Sequence, residues 1–133
     1  MNLGLAAPGV PPCNVPGQIT PHPVNWYTVK APKFPVEPQA ITEYAVEPLV
    51  PERLYVTNGV SVLRSTDSGC HWSEAFNLAD AGPGITAANS RILEIEVSAP
   101  GTIYLPIQQR DPIEQPHVAV SKDAGASWTM ADG

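Results

Sequence analysis

The sequence predicts an all-β chain built from short antiparallel strands. Three observations carry that expectation. Sixteen prolines and ten glycines are spread along 133 residues, a composition that interrupts long helices and supplies many turns. Apolar and polar residues alternate with a period of two in several stretches, most cleanly from Arg91 to Ser98. Strong turn signals, Asn58-Gly59 above all, fall between such stretches. The length suits one ordinary domain, and 43% hydrophobic residues are enough for a core.

Residues 1 to about 23 carry P-G-V-P-P-C-N-V-P-G and read as irregular, because repeated proline removes ladder donors. Asn25 to Lys30, N-W-Y-T-V-K, reads as one short strand rich in residues suited to a pleated surface. Ala31 to Pro38 is again punctuated by proline. Ala40 to Pro48 predicts a strand, and L-V-P-E a turn. Arg53 to Thr57 and Val60 to Ser65 form a hairpin about Asn58-Gly59, two residues that tolerate positive φ. S-E-A-F-N-L is a further strand, and A-D-A-G-P-G a loop. Then the same grammar restarts. In R-I-L-E-I-E-V-S the alternation puts Leu93, Ile95 and Val97 on one face and Glu94 and Glu96 on the other. T-I-Y-L-P-I and H-V-A-V-S-K follow as strands, with Gln108 to Pro116 inserted between them.

The restart is an internal repeat. S-T-D-S-G-C-H-W, beginning at Ser65, and S-K-D-A-G-A-S-W, beginning at Ser121, agree at Ser65 and Ser121, Asp67 and Asp123, Gly69 and Gly125, Trp72 and Trp128. Each pair is 56 positions apart, while Tyr55 and Tyr104 are 49 apart, which places the extra residues between Tyr104 and Ser121. A repeat near fifty residues, each with about four short strands, is the sequence sign of β-propeller blades. The chain then divides into a proline-rich arm with one short strand (1–38), a first blade (39–88) and a second blade, incomplete at its C-terminal end (89–133).

The octet S-x-D-x-G-x-x-W is similar to the Asp-box, or BNR repeat, of sialidase-like, sortilin-like and photosystem-assembly-factor-like β-propellers. L-Y-V-T-N-G, from Leu54 to Gly59, resembles the YVTN class of blade. The likeness covers Ile41 to Trp128. It implies four-stranded antiparallel blades, about two here, whose boxes join the third and fourth strands away from the ligand-binding face.

The residues themselves support a structural reading of the octet. Asp67 and Asp123 can accept backbone N–H groups just ahead of them, and the serines can do so more weakly. Gly69 and Gly125 supply positive φ. Trp72 and Trp128 turn a large apolar face to the sheet and offer an N–H to a carbonyl. One carboxylate per turn is a poor oxygen cage for calcium, so no metal and no cofactor are expected. Cys70 and His71 are replaced by Ala126 and Ser127 in the second copy and read as variable turn positions. Cys13 and Cys70 form a candidate disulfide, expected only in an oxidising compartment. On the chain-entropy model it would add roughly 4 kcal/mol.

Function is less visible. A net charge of −6, with seven Lys and Arg scattered along the chain, argues against nucleic acid and anionic membrane surfaces. No apolar run reaches the ~18 residues of a membrane span. The start lacks the basic region of a signal peptide, which suggests a chain following a removed signal or a piece of a longer protein; the expected location is extracellular or periplasmic. His22, His71 and His117 have no metal-ligand spacing.

The resemblance to sialidases would require three arginines about a substrate carboxylate and a Tyr-Glu nucleophile pair. Only Arg53, Arg64, Arg91 and Arg110 are present, and P-E-R-L-Y departs from the family's R-I-P pattern. The expected function is a non-catalytic scaffold or binding surface for protein or glycan. The alternatives are part of a secreted sialidase-like glycoside hydrolase with its catalytic residues mostly elsewhere, or an assembly factor of the photosystem-associated kind. Two blades cannot close a ring, which takes at least four. Further blades from a longer chain, self-association, or patching by Trp26 to Lys30 would each resolve this; we favour the first.

Overall fold

The computed structural model describes residues 31–131 and, as backbone, two short strands ahead of them. These strands, β1 (Ile19–Pro21) and β2 (Tyr27–Val29), pair antiparallel with each other. The arm therefore holds two strands where the sequence suggested one. Pro21 is tolerated because it ends its strand. The 27–29 stretch pairs with β1 and not with a larger sheet, so it does not patch the first repeat as an outer strand.

The remaining strands form two antiparallel sheets. The first contains β3 (Glu43–Val46), β4 (Leu54–Thr57), β5 (Ser61–Ser65) and β6 (Ser73–Asn77), in chain order. The second contains β7 (Ser90–Ile92), β8 (Glu96–Ala99), β9 (Thr102–Gln109), β10 (Gln115–Ser121) and β11 (Thr129–Met130), with β7 and β8 both bordering β9. The first sheet is a meander of consecutive neighbours, the arrangement that short connections favour; in the second, β7 and β8 follow one another along the same edge of β9. Among the described residues the one helical element is a single 3-10 turn, Leu78–Asp80, capped by the Asn77 side chain.

The β4–β5 turn uses its two signal residues differently. Only Gly59 takes positive φ, at 92°. Asn58 is buried, and its Oδ1 accepts from the backbone N–H groups of Val60 and Ser61. Its Nδ2 donates to the carbonyls of Val36 and Pro38, at 2.9 and 2.6 Å. The proline-punctuated segment 31–41 is thus pinned across the first sheet, and Phe34 packs there on Val56 and Leu63 beside Ile41 and Trp72.

The opposite face of the first sheet meets the second sheet. Tyr55, Val62 and Phe76 pack against Ile92, Ile95, Ile103, Leu105, Ile107 and Ala119 in one apolar cluster. Alternation along β9 and β10 puts these residues on one face, as the period of two requires.

The strand expected from Arg91 to Ser98 is broken between Ile92 and Glu96. Leu93, expected inside with Ile95 and Val97, is 54% exposed, whereas Ile92 and Ile95 are both buried. Pro106 on β9 supplies the reason. Leu93 N–H donates to the Pro106 carbonyl at 2.8 Å, but proline has no N–H to return. One extra residue accumulates at the break: Ile92 stands across from Ile107, and Glu96 across from Tyr104. The parity of the strand reverses there. The insertion from Gln108 to Pro116 is partly strand, lengthening the β9–β10 hairpin to the pair Gln109–Gln115.

Candidate functional site

The two octets connect equivalent strands, β5 to β6 and β10 to β11. Their hydrogen bonds match almost atom for atom. Ser65 Oγ donates to Asp67 Oδ1 at 2.8 Å and accepts from Gly69 N–H at 2.8 Å. Ser121 Oγ does the same with Asp123 and Gly125, at 2.8 and 2.8 Å. Asp67 Oδ1 accepts from His71 N–H, and Asp123 Oδ1 from Ser127 N–H, each at 2.8 Å. Trp72 Nε1 donates to the Gly69 carbonyl and Trp128 Nε1 to that of Gly125, at 3.0 and 3.1 Å. Gly69 and Gly125 have φ of 91° and 88°, and the residues before them, Ser68 and Ala124, are also left-handed.

One octet position escaped the sequence. His71 Nδ1 lies 2.6 Å from Asp67 Oδ2, and Ser127 Oγ donates to Asp123 Oδ2. Identity scoring treats His and Ser as unrelated, yet both place a hydrogen-bonding atom against the same carboxylate oxygen. Hydrogen bonds from the Ser127 hydroxyl and N–H, then from Ser121, lower the Asp123 carboxyl to about 2. Burial opposes the shift at Asp67, but bonds from the His71 backbone and ring and from Ser65 outweigh it and hold that carboxyl below its ordinary value. Both carboxylates thus spend their lone pairs inside their own turns.

Trp128 does more than its counterpart. Its Nε1 also donates to the Ala75 carbonyl in the first sheet, at 2.7 Å. Ala75 is the extra residue of a bulge on β6, between the pairs Val62–Phe76 and Leu63–Glu74. A bulge leaves ladder groups unpaired, and here a side chain from the neighbouring sheet meets one of them. The Trp128 ring also packs on Phe76, with centroids 5.1 Å apart.

Candidate catalytic types elsewhere are arranged for packing or lie apart. Tyr55 Oη donates to Glu47 Oε2 at 2.8 Å, and both residues are buried. Glu47 also accepts the Gly101 N–H from the second sheet, with Arg53 3.9 Å away. Burial, and then the Glu47 carboxylate, push the Tyr55 hydroxyl well above its ordinary value. This pair ties sheets together and offers a substrate no approach. Glu94 and Glu96 are both exposed beside the strand break. Among the described residues no group of three or more His, Cys, Asp and Glu is placed to hold a metal ion, and no helix is long and apolar enough to cross a membrane. Cys13 and His22 lie outside the described residues, so the Cys13–Cys70 pairing stays an expectation.

Of the four arginines, Arg64 donates to the Ala124 carbonyl of the second octet at 2.6 Å. Arg91 and Arg110 come together, lining a cavity of about 210 Å³ with Ala88, Asn89 and Ser90. The cavity lies at the Gln109–Gln115 end of the second sheet, whereas the octet follows the Ser121–Ile103 end. Asn89 braces its wall, donating to the Gly84 and Asp111 carbonyls at 2.7 and 3.2 Å. No protein-family model matches the chain, and no curated protein matches it either.

Proposed function

We propose that the chain is a non-catalytic, two-blade segment of an Asp-box β-propeller, serving as a scaffold that presents a binding surface for a protein or glycan. The observation that carries this reading is the consumption of the octets by their own architecture. Asp67 and Asp123 are each engaged on both carboxylate oxygens within their own turns, and Trp128 bonds one sheet to the other. Residues committed in this way hold blades together and leave no group for chemistry. The surface open to a ligand is then the opposite end of the sheets, where Arg91 and Arg110 line a braced cavity. The hydrolase alternative places its catalytic residues mostly outside this chain; within it, the bonded Tyr55–Glu47 pair is buried and leaves no room for a sugar ring.

Immobilised glycan panels and fluorogenic glycosides test the proposal together. Saturable binding that weakens in Arg91→Ala and Arg110→Ala, without glycoside turnover, supports it. Turnover by this chain would overturn the non-catalytic reading, and binding unaffected by either substitution would remove the cavity from it.

A further inference from the structure

The first sheet is covered on both faces, by different means. Tyr55 and Val62 lie against the second sheet. Val56 and Leu63, partners across β4 and β5, alternate with them and look the other way. Segment 31–41 lies over this second face, with Phe34 buried on Val56 and Leu63 beside Ile41 and Trp72.

The repeat gives that face a counterpart. Val56 corresponds to Leu105 at the offset of 49, and Leu63 to Ala119 at the offset of 56. Leu105 and Ala119 are likewise cross-strand partners, and they are buried in one cluster with Tyr55, Val62 and Phe76 of the preceding sheet. The octet tryptophans repeat the comparison. Trp128 stacks on Phe76 of the preceding sheet, and Trp72 joins the cluster around Phe34. Phe34 thus fills, on the first sheet, the place that a whole sheet fills on the second.

The segment takes that place without continuing the stack. Gln39 folds back on Phe34: its Oε1 accepts the Phe34 N–H and its Nε2 donates to the Phe34 carbonyl, each at 2.9 Å. One side-chain amide thus satisfies the backbone groups that a neighbouring strand would otherwise take. Pro32, Pro35 and Pro38 have no N–H to offer a ladder, and Asn58 holds the carbonyls of Val36 and Pro38. Pro32 and Phe34 are buried, whereas Lys33, Glu37 and Gln39 are exposed. The outer side is therefore polar, as the end of a repeat array requires. We infer that segment 31–41 is an end cap, standing in for a preceding sheet and closing this face of the first sheet to any other. The inference rests on reading the chain as stacked repeats, and it departs from a closed ring. The first sheet is a terminal blade, and no ring can close through it while the cap is seated.

Hydrogen exchange and sedimentation velocity on the full chain test this together, with Phe34→Asp as the release. That substitution sets a charge among Val56, Leu63, Ile41 and Trp72, where burial is too costly. The amides of 31–41 should then exchange as in unstructured chain, while those of β9 and β10 stay slow. The uncovered Val56–Leu63 face should drive association into species absent from the parent at the same concentration. Phe34→Ala is the gentler release and decides the matter if Phe34→Asp does not fold. Gln39→Ala, whose bonds lie wholly within the segment, should speed exchange at the Phe34 amide about tenfold, the scale of one or two hydrogen bonds, and leave β9 and β10 protected. A segment that stays protected in both Phe34 variants, or one released without association, would overturn the inference. So would loss of β9 and β10 protection in Gln39→Ala, because the segment would then be an inseparable part of the common core. Glycan binding at the Arg91 and Arg110 cavity enters none of these outcomes, so failure here and failure of the proposed function are distinguishable.

Discussion

Asp123 and Asp67 hold the same geometry with different helpers, and their titration makes that measurable. A carboxyl whose folded value is lowered contributes stability that is fully present above its unfolded value and lost as pH falls through the folded one. For Asp123 the window runs from its ordinary 3.8 down to about 2, and Asp67 shifts in the same direction. Acid unfolding of the native chain should steepen across that window, and Asp123→Asn should flatten it when circular dichroism is followed at a fixed urea concentration. The tryptophans give a second comparison. Trp72→Phe removes a bond within its turn, whereas Trp128→Phe also strands the Ala75 carbonyl. The second substitution should cost about 1 kcal/mol more in urea unfolding, the scale of one hydrogen bond. Ser, Asp, Gly and Trp were legible in the octets because identity repeats at those positions. The His71 and Ser127 contacts were not, because a shared hydrogen-bonding role does not need a shared side chain.

At the level of elements, alternation was a good guide wherever both ladder partners could donate and accept. It failed beside Pro106. Counting periods of two along 91–98 assigns Leu93 to the core, but the missing N–H lies on a strand ten or more positions later and resets the parity. The segment 31–41 failed for another reason. The prolines of 31–38 place it in a proline-rich arm, while the information that it is a cover resides in Asn58, whose amide reaches back to Val36 and Pro38. Phe34 is 2% exposed in that cover. Phe34→Ala should therefore cost about 3 kcal/mol, as large-to-small core changes do, and should speed proteolytic cleavage within 31–41.

For the molecule as a whole, the two antiparallel sheets followed from the repeat, but their mutual attachment did not. The groups that join them are largely backbone atoms: the carbonyls of Ala75, Ala124 and Gly59 and the N–H of Gly101. A sequence does not mark which carbonyl is left over by a bulge. Glu47 is the exception in having a side chain, yet as one glutamate before a proline it looks like surface. At 1% exposure it accepts from Tyr55 and Gly101, and Glu47→Leu would leave the buried Tyr55 hydroxyl and the half-buried Gly101 N–H without this acceptor. A loss of about 3 kcal/mol is expected, within the range for breaking buried polar networks, and it should be accompanied by weaker cohesion between sheets, seen as faster hydrogen exchange in β8 and β9.

The Trp128–Ala75 bond also has a meaning for the order in which the chain is made. Its partners are 53 residues apart, and synthesis delivers Ala75 long before Trp128. While the polypeptide is still emerging, β6 carries a bulge whose carbonyl has only water to bind, and Tyr55 and Val62 have no second sheet to cover them. The first sheet can form its ladders at that stage but not its finished edge. The edge of the first repeat is thus completed by the last turn of the second, and a nascent chain arrested before β9 would present the exposed apolar face on which holding chaperones act.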